Sequence, residues 1–436
     1  MSNTNLISGW GGYPVEEVEH LAPTCVDLLR GYLENKGPLI ARGLGRSYGD
    51  SANASIVAQT KYLDHFLLFD AENGILKAEA GLTLREILQV IVKSGWFLPV
   101  TPGTSFVTLG GAIASDVHGK NHHVSGTFGE YVLSLTMLLG NGEVVVTSPE
   151  ILPDLFHATC GGMGLTGIIL DATISLIPIR SSQISQKTIK KRSIDEAYET
   201  FDENASSTYS VAWIDCLKSG RSLGRSVLLV GEHSENGDLE LPLKQRLNVP
   251  SYTPAAFLNK LSIRALNSIY YAKAINNQSK DVSLTSFFYP LDAVKGWNKL
   301  YGKPGFLQYQ FVIPNQGGLS IMSNVLTKIA KSGSGSFLAV LKKFGPANKN
   351  LLSFPIEGFT LALDFKVSSS NISLIRKLDE IVKDAGGRVY LTKDAVMKES
   401  TFKASYPKWQ EFEAVREKYG AIGKFASSQS KRLGLA

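Results

Sequence analysis

Apolar and polar residues follow two rhythms along this chain. Period-two runs and turn signals dominate roughly the first 180 residues. Leu67–Asp70 and Ile75–Ala80 flank Glu72-Asn73-Gly74, which predicts a hairpin. A helix should follow, because Leu84, Ile87, Leu88 and Ile91 share one face. Thr83 and Glu86 fit a capping box and Gly95 supplies the stop. Tyr131–Leu139 and Glu143–Thr147 form a second predicted hairpin around Gly140-Asn141-Gly142, and Gly167–Ile179 is another β-type run. Beyond residue 180, strand-like runs occur at Tyr209–Asp215, Ser226–Val230, Phe306–Ile313, Phe337–Leu341, Phe359–Val367 and Arg388–Leu391. They alternate with amphipathic helices near Ser320–Ala330 and Asn371–Asp384. The pattern predicts an antiparallel sheet covered by helices. A last helix is expected near Tyr406–Tyr419.

Composition narrows the class. With 436 residues, 44% hydrophobic and 19% charged, two or more globular domains are expected. No run approaches the ~18 apolar residues of a membrane helix. The opening residues lack a basic region and lead into Glu16, Glu17 and Glu19, so no secretory signal is expected. Cys25, Cys160 and Cys216 are few, odd in number and far apart. That spacing predicts a reducing compartment, without a disulfide framework or a cysteine zinc site, and a cytoplasmic location. Net charge is +6. From Leu241 to Lys280 there is no Asp or Glu, while Lys244, Arg246, Lys260, Arg264, Lys273 and Lys280 are basic. Tyr252, Phe257, Tyr270 and Tyr271 are interspersed. The segment reads either as a solvated basic loop or as a contact for an anionic partner or membrane surface. No nucleic-acid partner is expected.

Three glycine-rich stretches carry candidate chemistry. IARGLGRSYGDSA, Ile40–Ala52, has G-x-G-x-x-x-G spacing, and DSANASIV after it is not a helix start. Gly162, Gly164 and Gly167 have the formal G-x-G-x-x-G spacing but run straight into a strand pattern, IILDATISLIPI. A Rossmann site needs a helix at that point, so both stretches fail on context. G-x-x-x-x-G-K-[ST] and G-x-S-x-G are absent. The third stretch, Pro102–Gly129, places Gly110, Gly111, Ala112, Ala114 and Ser115 together. Small residues there let backbone N–H groups approach a phosphate, with Gly103 and Thr104 adding donors. The competing reading is a tight turn between packed strands. His118 and His122 have i,i+4 spacing, with His123 beside them. Gly119 and Asn121 disfavour a helix, H-E-x-x-H is missing and no acidic cluster completes a ligand set. No metal site is expected; a histidine in such a loop contacts a cofactor or substrate, or caps the turn.

Taken together, ARGLGRSYGD, PGTSFVTLGGAIASDVHGKNHH, GGMGLTGIIL and GFLQYQFVIP closely resemble the decaprenylphosphoryl-β-D-ribose 2-oxidase family, FAD oxidoreductases of the vanillyl-alcohol-oxidase type. The similarity runs from about Gly9 to Phe425–Leu435. It implies an α+β fold: a two-subdomain FAD-binding domain over 5–180, an antiparallel-sheet substrate domain over 181–395, and a C-terminal return over 396–436. It implies FAD, bound non-covalently, with the glycine loops cradling the pyrophosphate. The implied FAD contacts are Ala41, Arg42, Gly43, Leu44, Gly45, Arg46, Ser47, Tyr48, Gly49, Asp50 and Ser51 in the first loop. Gly103, Thr108, Leu109, Gly110, Gly111, Ser115, Asp116, Val117 and His118 follow in the second, with Ile168 and Tyr390 beyond. Arg42 or Arg46 would offset phosphate charge.

The reaction implied by the resemblance oxidises the ribose 2-hydroxyl of a polyprenyl-phosphoryl-ribose. A separate keto-reductase would then yield the arabinose epimer for cell-envelope polysaccharide. Lys393 in VYLTKDA matches the family's active-site lysine, as a cation or a proton acceptor. His118, Gln310 and Lys342 match further site positions, although Lys342 could be a strand-end charge and Gln310 a solvent-facing sheet residue. Phe288, Thr360 and Ala362 stand where mycobacterial relatives have tyrosine, asparagine and cysteine, which puts the fit of the sugar in question. The substrate implies peripheral contact with the inner face of the membrane. Two other readings compete: an FAD oxidase of a soluble sugar, polyol or aldonolactone, and a non-catalytic subunit that binds a lipid-linked sugar. The intact loops and Lys393 disfavour the second.

Overall fold

In the computed structural model, residues 4–242, 247–254, 259–336 and 338–435 are described. The fold is α+β and is built on three main sheets. Thr4–Ser8, Val15–Leu21, Ile56–Gln59 and Ile40–Arg42 form a four-stranded sheet in that spatial order. Its last three strands run parallel, so the Ile40–Arg42 strand ends where the first glycine loop begins. A five-stranded antiparallel sheet follows, in the spatial order Phe66–Asp70, Ile75–Glu79, Ile168–Ser175, Val132–Leu138 and Val144–Thr147. Both predicted hairpins are present in it. The helix Leu84–Ile91 starts at the predicted capping box: Thr83 N–H donates to Glu86 and Glu86 N–H donates back to Thr83 Oγ1.

The largest sheet has eight antiparallel strands. Its spatial order is Gln278–Ser283, Gln183–Lys191, Ser226–His233, Tyr209–Ile214, Ala339–Phe344, Gly358–Lys366, Phe306–Pro314 and Arg388–Val389. Helices Ile194–Glu203, Gly318–Ser332 and Ser369–Asp384 share one core cluster with this sheet. Period two then decides the site. In FLQYQFVIP, Leu307, Tyr309, Phe311 and Ile313 point into that core, so Gln308 and Gln310 point to the opposite face.

Several elements differ from the sequence expectation, among them the following. Val26–Asn35 and Ile194–Glu203 are helices that were not expected. Leu109–Ala114, read as a loop or turn, is a short helix capped by Thr108. The acid-free segment is not simply a loop: Lys260–Lys273 is a helix capped by Asn259, and Lys280 lies in an edge strand. Lys244, Arg246 and Phe257 lie outside the described residues. No described helix is long and apolar enough to cross a membrane.

The helix Ser428–Arg432 returns to the start of the chain. Arg432 pairs with Asp50 at 2.7 Å and with Asp394 at 2.9 Å. Gln429 donates to the Leu391 carbonyl at 2.7 Å. The end of the first glycine loop and the turn that carries Lys393 are thereby held by one short helix.

Candidate active site

A cavity of about 1330 Å³ lies between the two smaller sheets and the free face of the eight-stranded one. That exceeds the roughly 300–1,000 Å³ of a usual small-molecule pocket and leaves room for two ligands side by side. One wall is the first glycine loop. Ala41, Gly43, Leu44, Gly45, Arg46, Ser47, Tyr48 and Ser51 line it. The N–H groups of Gly43 to Ser47 make no hydrogen bond within the described residues. Five consecutive unused donors beside a cavity are a ready anion cradle. Gly45 holds this shape with φ +60°, a conformation that favours glycine.

The second glycine segment behaves differently. Gly103, Thr108, Gly110, Gly111, Ser115, Val117 and His118 line the cavity. The expected donors of Gly110 and Gly111 are taken, however. Gly110 N–H donates to the Ala80 carbonyl and Gly111 N–H to Thr108 Oγ1. The helix uses these groups to anchor and cap itself, so this wall offers small surface rather than free amides. At Gly103 a Cβ would meet nothing within 4 Å of protein, so a side chain would enter the cavity.

Six of the expected cofactor contacts do not line the cavity. Arg42 is occupied by the Ser8 and Ala52 carbonyls and Asn53 Oδ1, at 2.7–2.8 Å, which corrects its expected phosphate role. Arg46 does line the cavity; it stacks 4.0 Å over Trp10 and donates to the Phe106 carbonyl. Gly49 is glycine because a Cβ would lie 1.9 Å from the Asp394 carbonyl oxygen. Asp50 holds Arg432. Leu109 and Ile168 are core residues. The neighbour Ile169 reaches the cavity instead. Asp116, at φ +39°, accepts from Gly129 N–H, Asn348, Asn350 and Ser353 at 2.6–2.9 Å, tying the second segment to the 345–354 loop.

His118, Gln310, Lys342, Lys393 and Tyr390 meet at the cavity. Gln310 is buried, and its Nε2 lies 2.9 Å from His118 Nε2 and 3.2 Å from Thr360 Oγ1. An amide nitrogen only donates, so His118 Nε2 accepts and its ring proton sits on Nδ1. Nδ1 has no partner among the described residues. Burial, reinforced by Lys342, His122 and Lys393, holds His118 well below the usual histidine range, so it is neutral at pH 7. His122 and His123 are not brought to His118 as a ligand set: His122 Nδ1 accepts from Gly345 N–H and His123 Nε2 lies against the Ser207 carbonyl. Tyr390 donates to the Ser115 carbonyl at 2.9 Å and stacks on Phe354.

Charge is concentrated on the sheet side. Burial brings the Lys342 and Lys393 ammonium groups down to about 7. For Lys393, Asp364 opposes the shift and Lys342 adds to it. The Lys393 Nζ sits 3.9 Å over the Tyr48 ring, so the glycine loop supplies its floor. Two residues here were not singled out from the sequence. Lys120, in HGKNHH, lines the cavity beside Phe287 and Phe288 and is also brought to about 7, by burial and then Lys342. Asp364, in TLALDF, is pushed up to about 6 by burial, although Gln308 and Tyr301 donate to it. Of the three departures, Phe288 and Ala362 line the cavity, while Thr360 sits behind Gln310 and donates to the Phe311 carbonyl.

Residues 23–148 match the FAD binding domain family, and residues 359–433 match the D-arabinono-1,4-lactone oxidase family. The chain is 36% identical to the decaprenylphosphoryl-β-D-ribose oxidase of Mycolicibacterium smegmatis, over 100% of this chain and 98% of that protein. It is 21% identical to the L-gulono-1,4-lactone dehydrogenase of Mycobacterium tuberculosis, over 97% and 98%. Similarity to the D-lactate dehydrogenase of Anaerostipes hadrus, at 28%, covers 35% of this chain and 34% of that protein. The shared ground of these matches is FAD-dependent oxidation of a hydroxyl group.

Proposed function

From the premise that the chain belongs to the decaprenylphosphoryl-β-D-ribose oxidase family of FAD oxidoreductases, we propose that it oxidises the ribose 2-hydroxyl of a polyprenyl-phosphoryl-β-D-ribose to the 2-keto sugar. The observation that carries the reading is the meeting of Gln310, Lys342 and Lys393 at one cavity with the unbonded amides of Gly43–Ser47. Those amides, with Arg46, would hold the FAD pyrophosphate. Gly103, Thr108, Ser115, His118 and Tyr390 would complete the cofactor wall, and Arg42, Gly49, Asp50, Leu109, Asp116 and Ile168 would support it from behind. The cofactor is read as non-covalent, the mode that the family resemblance implies.

When bound, FAD supplies the acceptor for the hydride that leaves the ribose C2. The protein's own task is to orient the sugar and take the hydroxyl proton. Lys393 at about 7 is unprotonated for part of the population at neutral pH, so its Nζ can accept that proton. Lys342 and the free oxygen of Gln310 would hold the neighbouring sugar oxygens. His118, neutral and locked by Gln310, would fix the position of that amide.

The product would pass to a separate keto-reductase, giving an arabinose donor for cell-envelope polysaccharide. Residues 5–180 are read as the FAD domain, 181–395 as the substrate domain and 396–436 as the return. Exposed Leu261, Tyr252 and Ile275 with Lys260, Arg264 and Lys273 support peripheral contact with the inner face of the membrane, from the cytoplasm. The match of residues 359–433 to a lactone oxidase keeps a soluble aldonolactone as the second reading. The purified yellow protein, given polyprenyl-phosphoryl-ribose and an artificial electron acceptor, should form the 2-keto sugar. Oxidation of an aldonolactone at higher kcat/KM would replace the proposal with the second reading.

A further inference from the structure

We infer that the helix Lys260–Lys273 and the sheet beneath it form a channel for the isoprenoid tail of the substrate, leading away from the sugar site. The inference rests on the substrate class proposed above. Its floor is written in strand register. Gln310 pairs with Ala362, Ala362 with Val340, Val340 with Trp213 and Trp213 with Val227. Directly paired residues share a sheet face. All five line the cavity. The ladder crosses four strand spacings, roughly 19 Å, and is apolar after its first member. It begins at the amide that touches His118 and ends beyond Trp213.

The roof is one helix stripe. Leu266, Ile269, Tyr270 and Lys273 recur at i, i+3, i+4 and i+7, and all four line the same cavity. Leu266 is 48% and Ile269 52% exposed, while on the adjoining strip of the helix Ile263 joins the core and Asn267 donates to Asp215 at 2.9 Å. Floor and roof meet where the Trp213 and Tyr270 rings lie 4.7 Å apart. The stripe and the ladder contain no carboxylate. An apolar isoprenoid chain covers the ladder, Leu266, Ile269 and the Tyr270 ring, while the exposed Lys273 ammonium at the end of the stripe stays in water; a small sugar would reach only the Gln310 end. Binding should therefore strengthen as the chain lengthens, until the chain outgrows the channel.

Polyprenyl phosphates without the sugar provide the probe. Given to the wild-type holoenzyme as inhibitors of polyprenyl-phosphoryl-ribose oxidation, they should show a Ki that falls with each added isoprene unit and then levels. In the variant Leu266→Ser/Ile269→Ser, checked for an intact flavin spectrum, the kcat/KM preference for a long-chain over a short-chain substrate should fall about tenfold or more. A Ki independent of chain length overturns the channel, and so does an unchanged preference in the variant. Equal inhibition by phospholipid vesicles lacking polyprenyl phosphate assigns the stripe to membrane lipid and also overturns it. If wild-type protein oxidises no polyprenyl-phosphoryl-ribose of any length, the substrate reading fails instead, which is a separate result.

Discussion

One side of the cavity is built of backbone and the other of side chains. The Gly43–Ser47 loop presents five unbonded amides and carries its shape in glycine conformations. The eight-stranded sheet presents Gln310, Lys342 and, through its last strand, Lys393. The first side attracts an anion through fixed dipoles and the Arg46 guanidinium, neither of which changes charge near neutral pH. The second holds amines brought to about 7, whose charge changes within the physiological range. Cofactor retention should therefore depend little on pH near neutrality, and turnover should depend on it strongly. The division also separates what substitution can do: a change in the loop acts through shape, a change on the sheet through charge.

The harshest way to break that division is to remove the piece holding both sides. Arg432→Ala leaves Asp50 and Asp394, each at most 5% exposed, without their cation. A loss of about 3–5 kcal/mol of stability is expected, with loss of yellow colour, read by urea denaturation and flavin absorbance. Next comes Lys393→Ala, which should leave the colour and cut single-turnover flavin reduction by about 10²–10³-fold. If reduction is unchanged, Lys393 has no part in the chemistry.

Acidity sharpens the same contrast. Lys393 accepts a proton only as the free amine, and its pKa is brought to about 7. Below that value it is charged and idle, so single-turnover reduction should climb as pH rises through it and then flatten. Lys393→Arg should abolish the climb. A rate that falls over this interval would make the ammonium the working form. FAD affinity measured across the same interval should stay flat by comparison.

Two smaller effects complete the set. Thr360→Val removes the oxygen that accepts from Gln310, so about 0.5–1.5 kcal/mol of transition-state positioning should be lost, read as a several-fold fall in kcat/KM with unchanged FAD affinity. Gly103→Ala adds a methyl group where no protein atom lies within 4 Å. Apoprotein stability should stay within about 0.5 kcal/mol. FAD affinity should nonetheless drop measurably, and equal affinity would place the cofactor away from Gly103.

Much of this was legible in residue patterns, and the reasons for the rest are physical. Strict alternation in FLQYQFVIP decided that Gln308 and Gln310 share a face, because a strand has only two. The same alternation in TLALDF puts Asp364 on one face with Thr360 and Ala362. Ser193 and Glu196 spell the start of the Ile194–Glu203 helix. Leu29 and Leu33 marked the first helix by spacing alone. Glycine counts misled at Gly110 and Gly111, since small size shows that backbone can come close, not whether its N–H is still free. That depends on Ala80 and Thr108, which only the fold brings near. The Lys260–Lys273 helix was equally legible: Ile263, Leu266, Ile269 and Tyr270 keep helical spacing behind the Asn259–Ser262 capping box.

The clasp at Arg432 has a consequence in time. Its partner Asp50 is 382 residues earlier in the chain. During synthesis the glycine loop leaves the ribosome long before the cation that will fix it. At about 5–20 residues per second that interval is tens of seconds, during which the loop exists without its clasp. A nascent chain thus passes most of its synthesis without the ion pairs that join the end of the glycine loop to the Lys393 turn. The Arg432 pairs with Asp50 and Asp394 are therefore among the last contacts the chain can make.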